Sequence, residues 1–555
     1  MAIVIIDGRE LEIRDGERLN GIQAAARLGI EIPRYCWHPG LSVAGSCRMC
    51  LVEMGIRAPK TGEVSMLPKL TPACNTPMRD GIVLVTNSEK VREARARVEE
   101  GLLLRHPIDC PICDKAGECR LQDYHFQYGQ SRRRADLRPF TSRRRDVADN
   151  VTLFVDRCIL CTRCVRFTRE VSGAGELMVT GRGAHEEIDV VPGFPLADKL
   201  SGNVVDLCPV GALCDKPFLY RQRVWYVQQH AGVCTGCATG CSTWIDENQD
   251  RVYRVRPREN AFVNDWWICN DGRYDYAHVH SLERLVQPLR RDGKSLVELD
   301  WTQLPRELDR RLREAGRLAA VLSPFLTVEE AYLLAQYVRT IDRNAALALG
   351  PVPAAAEDEH FPGGFTIAAE KCPNRRGVEE VIAHFNGAAT SLDQLLQQVQ
   401  QGAVRGLWVS AGYRGGQAFL PVGGEQAFLP AGNDWIDPPT AARLARAQLL
   451  VVQDAFPSPL SQRATYVLPG AAFPERDGSY VNRHDHLQSV RWAIRPPVGV
   501  RPEGSLFWEL QGRPGLYNAR TVLSEVAAQI AYFHVAREAI PELGVNLKVN
   551  LLAGT

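Results

Sequence analysis

Fifteen of the seventeen cysteines occur in four tight groups, and their spacing constrains the fold more than any other feature of the chain. The most informative run extends from His106 to Cys119, where one histidine and three cysteines follow the pattern H-x3-C-x2-C-x5-C. Imidazole and thiolate are ligands of zinc and of iron-sulfur clusters alike, so this run alone leaves the metal open. The fold must nevertheless bring these four side chains together.

Composition describes an ordinary globular protein and indicates no partner. The 555 residues have room for three or four domains, and 45% of them are hydrophobic. The 66 Lys and Arg residues nearly balance the 65 Asp and Glu residues, so no basic excess points to nucleic acid or a membrane surface. We expect no signal peptide and no transmembrane segment, and therefore metal ligands rather than disulfides.

The first group lies in a loop that follows a predicted hairpin over residues 3–13 and a predicted helix with an apolar stripe over residues 22–28. Hairpin, helix and cysteine loop in this order are typical of a small β-grasp ferredoxin. The spacing shares the CxxC and the remote fourth cysteine of plant-type 2Fe-2S sites, but its first gap is ten residues instead of four. A 2Fe-2S cluster is favoured, with zinc as the alternative. The cysteines of the first group are Cys36, Cys47, Cys50 and Cys74.

The second group follows a predicted helix over residues 90–104, which leads directly to His106. Its members are His106, Cys110, Cys113 and Cys119. A neutral imidazole in place of one thiolate makes the site less negative and, taken alone, raises its reduction potential. The next segment, residues 130–145, contains seven arginines and is either a solvated linker or a docking surface for an acidic partner.

The third group begins with CxxCxxC, the start of the bacterial ferredoxin run. Thr168 stands where that run places its next cysteine, so the fourth ligand is remote. Cys208 is followed by the proline typical of such ligands and is preferred to Cys214. The third group is therefore Cys158, Cys161, Cys164 and Cys208.

The fourth group again combines closely spaced cysteines with a remote one, which favours a further 4Fe-4S cluster. Its members are Cys234, Cys237, Cys241 and Cys269. Cys214 and Cys372 then remain as ordinary buried thiols.

From about residue 280 the pattern changes to α/β. Short apolar runs at residues 319–323, 407–410 and 448–454 predict buried strands, and Thr327 with Glu330 predicts a capping box that opens a helix. No G-x-G-x-x-G fingerprint follows these strands, so a nucleotide site is not supported. A near-duplication, QAFLPVGGE and QAFLPAGND over residues 417–434, is predicted to be a loop and has no functional explanation.

Three motifs carry a resemblance to a known family: HPIDCPICDKAGECRLQD (106–123), RCILCTRCVRF (157–167) and SGNVVDLCPVGAL (201–213). They resemble the large iron-sulfur subunit, also called the G subunit, of bacterial NADH-quinone oxidoreductase, respiratory complex I. The resemblance is close over residues 1 to about 275 and looser beyond. It implies a 2Fe-2S cluster on the first group and 4Fe-4S clusters on the second and third, all on the electron path.

The fourth group resembles the N-terminal cluster of molybdopterin oxidoreductases, which lies off the main path. Those enzymes usually have a lysine two residues after the last cysteine, whereas this chain has Asp271. Residues 451–487 resemble a molybdopterin-family segment, but the tail is too short for the full set of cofactor domains. Lys371-Cys372-Pro373 looks unlike a molybdenum site, so no molybdopterin is expected.

The motifs and the resemblance together predict an α+β β-grasp ferredoxin-like domain, iron-sulfur cluster domains, and a C-terminal α/β domain like a truncated molybdopterin oxidoreductase domain. The expected domain bounds are 1–96 for the 2Fe-2S domain, 97–136 for the 4Fe-4S domain with one histidine and three cysteine ligands, 137–226 for the 4Fe-4S ferredoxin-like domain, 227–283 for the molybdopterin-oxidoreductase-type 4Fe-4S domain and 284–555 for the α/β domain.

The resemblance implies relay chemistry, in which electrons pass from an NADH-oxidising flavoprotein subunit toward quinone and no catalytic acid, base or nucleophile is needed. The implied partners are that flavoprotein subunit, a 2Fe-2S subunit and the iron-sulfur subunits of the quinone module, with no nucleic acid. The implied location is the cytoplasmic side of the bacterial inner membrane, held through the complex. The alternative is an iron-sulfur or catalytic subunit of an NAD-linked formate dehydrogenase or hydrogenase.

Overall fold

The structure, a computed structural model, describes residues 1–181, 183–412 and 435–548, so the duplicated 417–434 segment lies outside the described residues. Two units divide the chain: Met1–Tyr226 with Phe361–Gly364, and Val227–His360 with Phe365–Thr555. The five narrower domain bounds remain a prediction.

The first unit combines short strands and helices. In chain order they are β1 (Ala2–Ile6), β2 (Arg9–Ile13), α1 (Gly21–Arg27), β3 (Leu51–Arg57), β4 (Val64–Met66), β5 (Thr71–Pro72), β6 (Ile82–Val85), α2 (Glu89–Leu103), α3 (Arg120–Tyr128), β7 (Arg144–Asp146), β8 (Val151–Phe154), α4 (Arg163–Glu170), β9 (Leu177–Thr180), β10 (Glu187–Val190), α5 (Asn203–Leu207) and β11 (Leu213–Asp215).

The N-terminal sheet has the predicted β-grasp arrangement. Its strand order is β2-β1-β6-β3-β4, with β5 on β3 and with β1 parallel to β6. The predicted hairpin is present, because β1 and β2 pair antiparallel from Ala2–Ile13 to Ile6–Arg9. A capping box between Asn20 and Gln23 starts α1, which buries its apolar face on the sheet. The cysteine loop that follows α1 therefore begins at a helix that is fixed against the sheet.

The arginine-rich segment contains strand β7, and it differs from a wholly solvated linker. Five of its arginines pair with carboxylates of the same unit. Three of these pairs reach beyond the segment and β7: Arg134 with Glu100, Arg143 with Asp156 and Arg145 with Glu187. Because these arginines are largely exposed, each ion pair contributes little to stability on its own. The pairs nonetheless attach the segment to β10 and to the turn before the third group.

The second unit is built on three small sheets and one large one. Its elements are β12 (Gln228–Val233), β13 (Ser242–Asn248), β14 (Arg251–Pro257), α6 (Asn270–Tyr274), β15 (Leu289–Asp292), β16 (Ser295–Glu298), α7 (Leu304–Ala315), β17 (Leu318–Leu322), α8 (Val328–Ile341), β18 (Ala346–Leu349), β19 (Glu359–His360), β20 (Thr366–Ile367), α9 (Arg375–Asn386), α10 (Leu392–Gln400), β21 (Gly406–Ser410), α11 (Pro438–Leu444), β22 (Leu449–Asp454), β23 (Tyr466–Pro469), β24 (Gly478–Val481), β25 (His486–Val490), α12 (Glu503–Leu510), α13 (Ala519–Gln529) and β26 (Val545–Asn546).

The large sheet confirms the α/β prediction. Its order is β16-β15-β23-β22-β21-β17-β18, and the last five strands are parallel. Both faces are covered by helices, which gives two apolar cores, as parallel sheets require. The capping box at the start of α8 is present, with Thr327 Oγ1 accepting from the Glu330 amide at 3.2 Å.

Within the described residues, no helix has the length and apolarity needed to cross a membrane.

The core around α8 generates a stability prediction. Leu334 is fully buried there, so Leu334→Ala should lower the free energy of unfolding by about 2–5 kcal/mol through lost burial and the cavity left behind. Urea denaturation followed by far-UV circular dichroism measures this change. Leu516→Ala is the matched control, since Leu516 is 93% exposed and should change stability by about 0.5 kcal/mol or less. Equal effects of the two substitutions would contradict the described core.

Candidate iron-sulfur sites

The first group gathers in and beside the core of the β-grasp sheet. Cys36, Cys47 and Cys50 lie in the loop between α1 and β3, and Cys74 lies in a short 3-10 helix, Ala73–Asn75, after β5. Three of the four are buried, and Cys47 is half-buried. The Ala73 amide donates to the Cys50 carbonyl at 3.0 Å, which ties the remote cysteine to the loop.

The donors of the first group have the chemistry that a cluster needs. A hydrogen bond from the Cys47 thiol lowers the pKa of Cys36 to about 5, and the backbone amides of Ser46 and Cys47 act in the same direction. The Cys74 thiol likewise lowers the pKa of Cys50. Each pair thus favours one thiolate, the ligand form for iron, while the same hydrogen bonds and burial raise the pKa of the partner thiols Cys47 and Cys74. Bound iron would supply the positive charge that four thiolates together require.

The second group lines one cavity, together with Arg157 and Gly211. His106 follows α2, and Cys119 is the N-cap residue of α3. Burial raises the pKa of the Cys119 thiol to about 11, and the nearby amides of Gln122 and Leu121 oppose this rise. Burial lowers the pKa of His106, and the Arg157 charge lowers it further. The imidazole is therefore neutral near pH 7, which is the form that ligates metal.

A glycine leaves space free of side chains beside the sulfurs of the second group. A Cβ added at Gly211 would stand 2.2 Å from Cys113 Sγ, so any side chain there would collide with the sulfur. Arg223 holds the cysteine loop from outside, because its guanidinium donates to the carbonyls of Pro111 at 2.6 Å and Cys113 at 2.9 Å. The three thiols, the imidazole and the cavity that they line fit a 4Fe-4S cluster.

Arg157 connects the second group to the third. Its side chain is 2% exposed, stacks 3.9 Å from the Phe154 ring centroid, and donates from Nε and Nη2 to Asp109 Oδ2 at 3.0 and 2.8 Å. Asp109 lies between His106 and Cys110, whereas Arg157 directly precedes Cys158. One ion pair thus joins the two ligand loops.

The third group also lines one cavity, with apolar walls that include Leu153, Ile188 and Val210. Leu160 and Thr162 have φ of 52° and 59°, a left-handed conformation that is uncommon outside glycine and curls the CxxCxxC loop. The Leu160 amide donates to Cys158 Sγ at 3.3 Å. Cys208, at the end of α5, lines this cavity with the other three.

The fourth group lies in the second unit, and all four of its cysteines are buried. Cys234 and Cys241 flank the turn between β12 and β13, where the Cys234 amide donates to the Cys241 carbonyl at 2.8 Å. Cys269 caps α6, and its sulfur accepts from the Gly272 amide at 3.4 Å. A Cβ at Gly272 would stand 2.9 Å from Cys234 Sγ, so glycine leaves room beside the sulfur.

The electrostatics of the fourth group show that its sulfurs are neighbours. Burial raises the pKa of Cys241 well above its usual value, and the other three cysteines of the group raise it further. An additional positive charge is needed if all four are to be thiolates, and bound iron supplies such a charge. The donor set therefore fits a 4Fe-4S cluster as well.

The remaining cysteines lie apart from these sites. Cys214 packs with Phe154 and Leu219, and Cys372 packs with Phe325 and Ala411. Across the described ranges, no three His, Cys, Asp or Glu side chains lie close enough to share a single metal ion. An iron-sulfur cluster has no such requirement, because it distributes its four protein ligands over two or four irons.

Sequence reasoning missed three arginines that connect the groups: Arg157, Arg163 and Arg166. Each lies within RCILCTRCVRF, next to or between the cysteines of the third group. Their position in the motif was the available signal. The partners they reach are more than 40 residues away in the chain, and local spacing does not indicate such contacts.

Comparisons with known proteins give a family match for most of this arrangement. Residues 3–89 match a 2Fe-2S iron-sulfur cluster binding domain, and residues 95–134 match the NADH-ubiquinone oxidoreductase-G iron-sulfur binding region. Residues 148–214 match the ferredoxin-like domain of NADH-quinone oxidoreductase subunit 3, and residues 390–513 match molybdopterin oxidoreductase. The predicted fold classes are thus confirmed, and 2Fe-2S and 4Fe-4S binding domains are present. For the first group, the match favours a 2Fe-2S cluster over zinc.

Relatives and a solved structure also match. The chain is 34% identical to the G subunit of NADH-quinone oxidoreductase of Rickettsia felis over 61% of its own length and 49% of that protein. It is 37% identical to the NADH-ubiquinone oxidoreductase 75 kDa subunit of Reclinomonas americana over 61% of its length and 48% of that protein. An NAD+-reducing [NiFe]-hydrogenase chain matches with a TM-score of 0.34 and 28% identity, covering 40% of this chain and 91% of that one.

The alignments span about half the length of these curated relatives. Over the aligned part of the chain, the resemblance to the large iron-sulfur subunit of NADH-quinone oxidoreductase that the motifs predict is confirmed.

Proposed function

We propose that this chain is an iron-sulfur electron-transfer subunit of NADH-quinone oxidoreductase. It would relay electrons from an NADH-oxidising flavoprotein subunit toward quinone, in a complex that couples the transfer to proton translocation. The observation that carries the proposal is the gathering of ligand residues at four separate places, three of them in one unit. Iron-sulfur clusters that lie close together are suited to pass electrons from one to the next.

The cofactors follow from the donor sets. The first group would hold one 2Fe-2S cluster, and the second, third and fourth groups would each hold a 4Fe-4S cluster. Bound clusters supply one-electron redox chemistry, while the protein sets their potentials through ligand type, hydrogen bonds and burial. The Leu160 amide donates to Cys158 Sγ, and amides near Cys36 and Cys119 act to lower the pKa of those thiols, so all of them stabilise negative charge on sulfur.

Contacts between the ligand loops suggest the order of transfer. Arg166 Nη2 donates to the carbonyls of both Cys36 and Cys161, so the first and third groups are neighbours. Arg157, which directly precedes Cys158 of the third group, donates to Asp109 in the loop of the second group. We infer that electrons pass from the first group through the third to the second, although the second comes earlier in the chain.

The molybdopterin oxidoreductase match raises a second candidate, a catalytic subunit of a formate dehydrogenase. Asp271 stands where such enzymes usually have a lysine, and Cys372 is packed against Phe325 and Ala411 rather than at a described open site. For a hydrogenase, the hydrogen-activating iron cluster needs further cysteines, and after Cys269 the sequence has only Cys372. Relay without a molybdenum centre is therefore favoured.

The proposal includes partners and a location. The partners would be the flavoprotein subunit, a 2Fe-2S subunit and the iron-sulfur subunits of the quinone module. Attachment to the cytoplasmic side of a bacterial inner membrane would come from those partners.

Iron content tests the proposed cofactors. One 2Fe-2S and three 4Fe-4S clusters require about 14 iron atoms in the anaerobically reconstituted chain. Iron analysis combined with EPR of the reduced protein measures both the count and the cluster types. A total of about ten irons would show that one of the proposed 4Fe-4S clusters is not assembled. Molybdenum or tungsten in stoichiometric amount would overturn the relay proposal.

Replacing the histidine ligand tests the role of charge at the second group. His106→Cys should retain a cluster with a lower reduction potential, because a thiolate replaces a neutral imidazole. An EPR-monitored redox titration measures the shift. His125→Cys is the matched control, because His125 lies on α3 and does not line the cavity. A higher or unchanged potential would show that ligand charge does not control this site.

A further inference from the structure

Arg166 is shared by two ligand loops of the first unit. Its Nη2 donates to the Cys36 carbonyl and, at 3.4 Å, to the Cys161 carbonyl. Its Nη1 donates to the Ser42 carbonyl, in the same loop as Cys36. One guanidinium on α4 therefore contacts a ligand residue of the first group and a ligand residue of the third.

Arg163, one turn earlier on α4, forms a second contact of the same kind. Its Nη2 donates to the Trp37 carbonyl at 2.6 Å, and its Nη1 donates to the Leu207 carbonyl at 3.3 Å. Trp37 directly follows Cys36, and Leu207 directly precedes Cys208. Both arginines thus contact the loops of the same two groups.

The two guanidiniums carry positive charge, and their described hydrogen bonds end on neutral groups. These acceptors are carbonyl oxygens and, for Arg166, also the Thr162 hydroxyl. Arg163 Nε is buried without a hydrogen-bond partner among the described atoms. Arg157 differs, because Asp109 offsets its charge. The positive charge between the first and third groups is consequently available to stabilise an electron added to either one.

We propose that Arg166, supported by Arg163, is a positioning residue common to the first and third groups that raises the reduction potential of both clusters. The inference rests on the proposed function, because it requires clusters at both groups. It adds a specific expectation, namely that one side chain sets two potentials together and leaves the second and fourth groups unaffected.

The test uses the full chain, reconstituted anaerobically and titrated with EPR detection. Arg166→Gln keeps hydrogen-bonding capacity and removes the charge, so the potentials of the 2Fe-2S cluster and of the third-group cluster should both shift downward. Arg166→Lys keeps the charge, so both potentials should stay close to those of the unsubstituted chain. Arg169→Gln is the matched control, since Arg169 is exposed on the same helix and should leave all potentials unchanged.

Unmoved potentials in Arg166→Gln, or a shift in only one of the two clusters, would overturn the inference. Should Arg166→Gln fail to bind iron at these groups, Arg163→Gln should show the same paired shift. Loss of both clusters in both variants would also overturn it, because the arginines would then serve assembly alone. Absence of clusters from the unsubstituted chain would instead contradict the proposed function.

Discussion

Several sulfur atoms must be held close together inside this protein, and the rest of the first unit is arranged around that constraint. Burial and neighbouring sulfurs both disfavour thiolate: together they raise the pKa of Cys164 well above its usual value, and burial alone does most of this for Cys119. The chain opposes the penalty with amides directed at sulfur and with arginines between the groups. Bound iron would complete the compensation and would thereby link cluster binding to folding.

The arginines explain why the order of the groups in space differs from their order in the chain. Arg157, Arg163 and Arg166 all come from RCILCTRCVRF, the stretch that carries three cysteines of the third group, and they contact the loops of the first and second groups. The third group therefore lies between the other two. In a relay with this arrangement, the third group would be the middle site, between the first and second groups. The histidine-containing second group then occupies one end.

Local patterns predicted the elements well where one short stretch decides the outcome. The hairpin of β1 and β2, the capping box at Thr327 and the strand at β22 all follow from alternation or capping chemistry. Cysteine spacing grouped Cys208, rather than Cys214, with the third group, and Cys208 lines that cavity, while its role as a ligand stays a prediction. Contacts such as Arg166 with Cys36 join residues 130 positions apart, and no local pattern contains that information. The arginine-rich segment was also only partly predictable, because its ion pairs depend on where β10 lies.

The most direct test of the account is anomalous X-ray diffraction from crystals of the anaerobically loaded chain, recorded on both sides of the iron absorption edge. The account predicts iron at all four groups, including the cavity lined by His106, Cys110, Cys113 and Cys119. It also predicts that the iron of the third group lies between that of the first and second. An iron-free second group, or an anomalous signal there that appears only at the zinc edge, would contradict it.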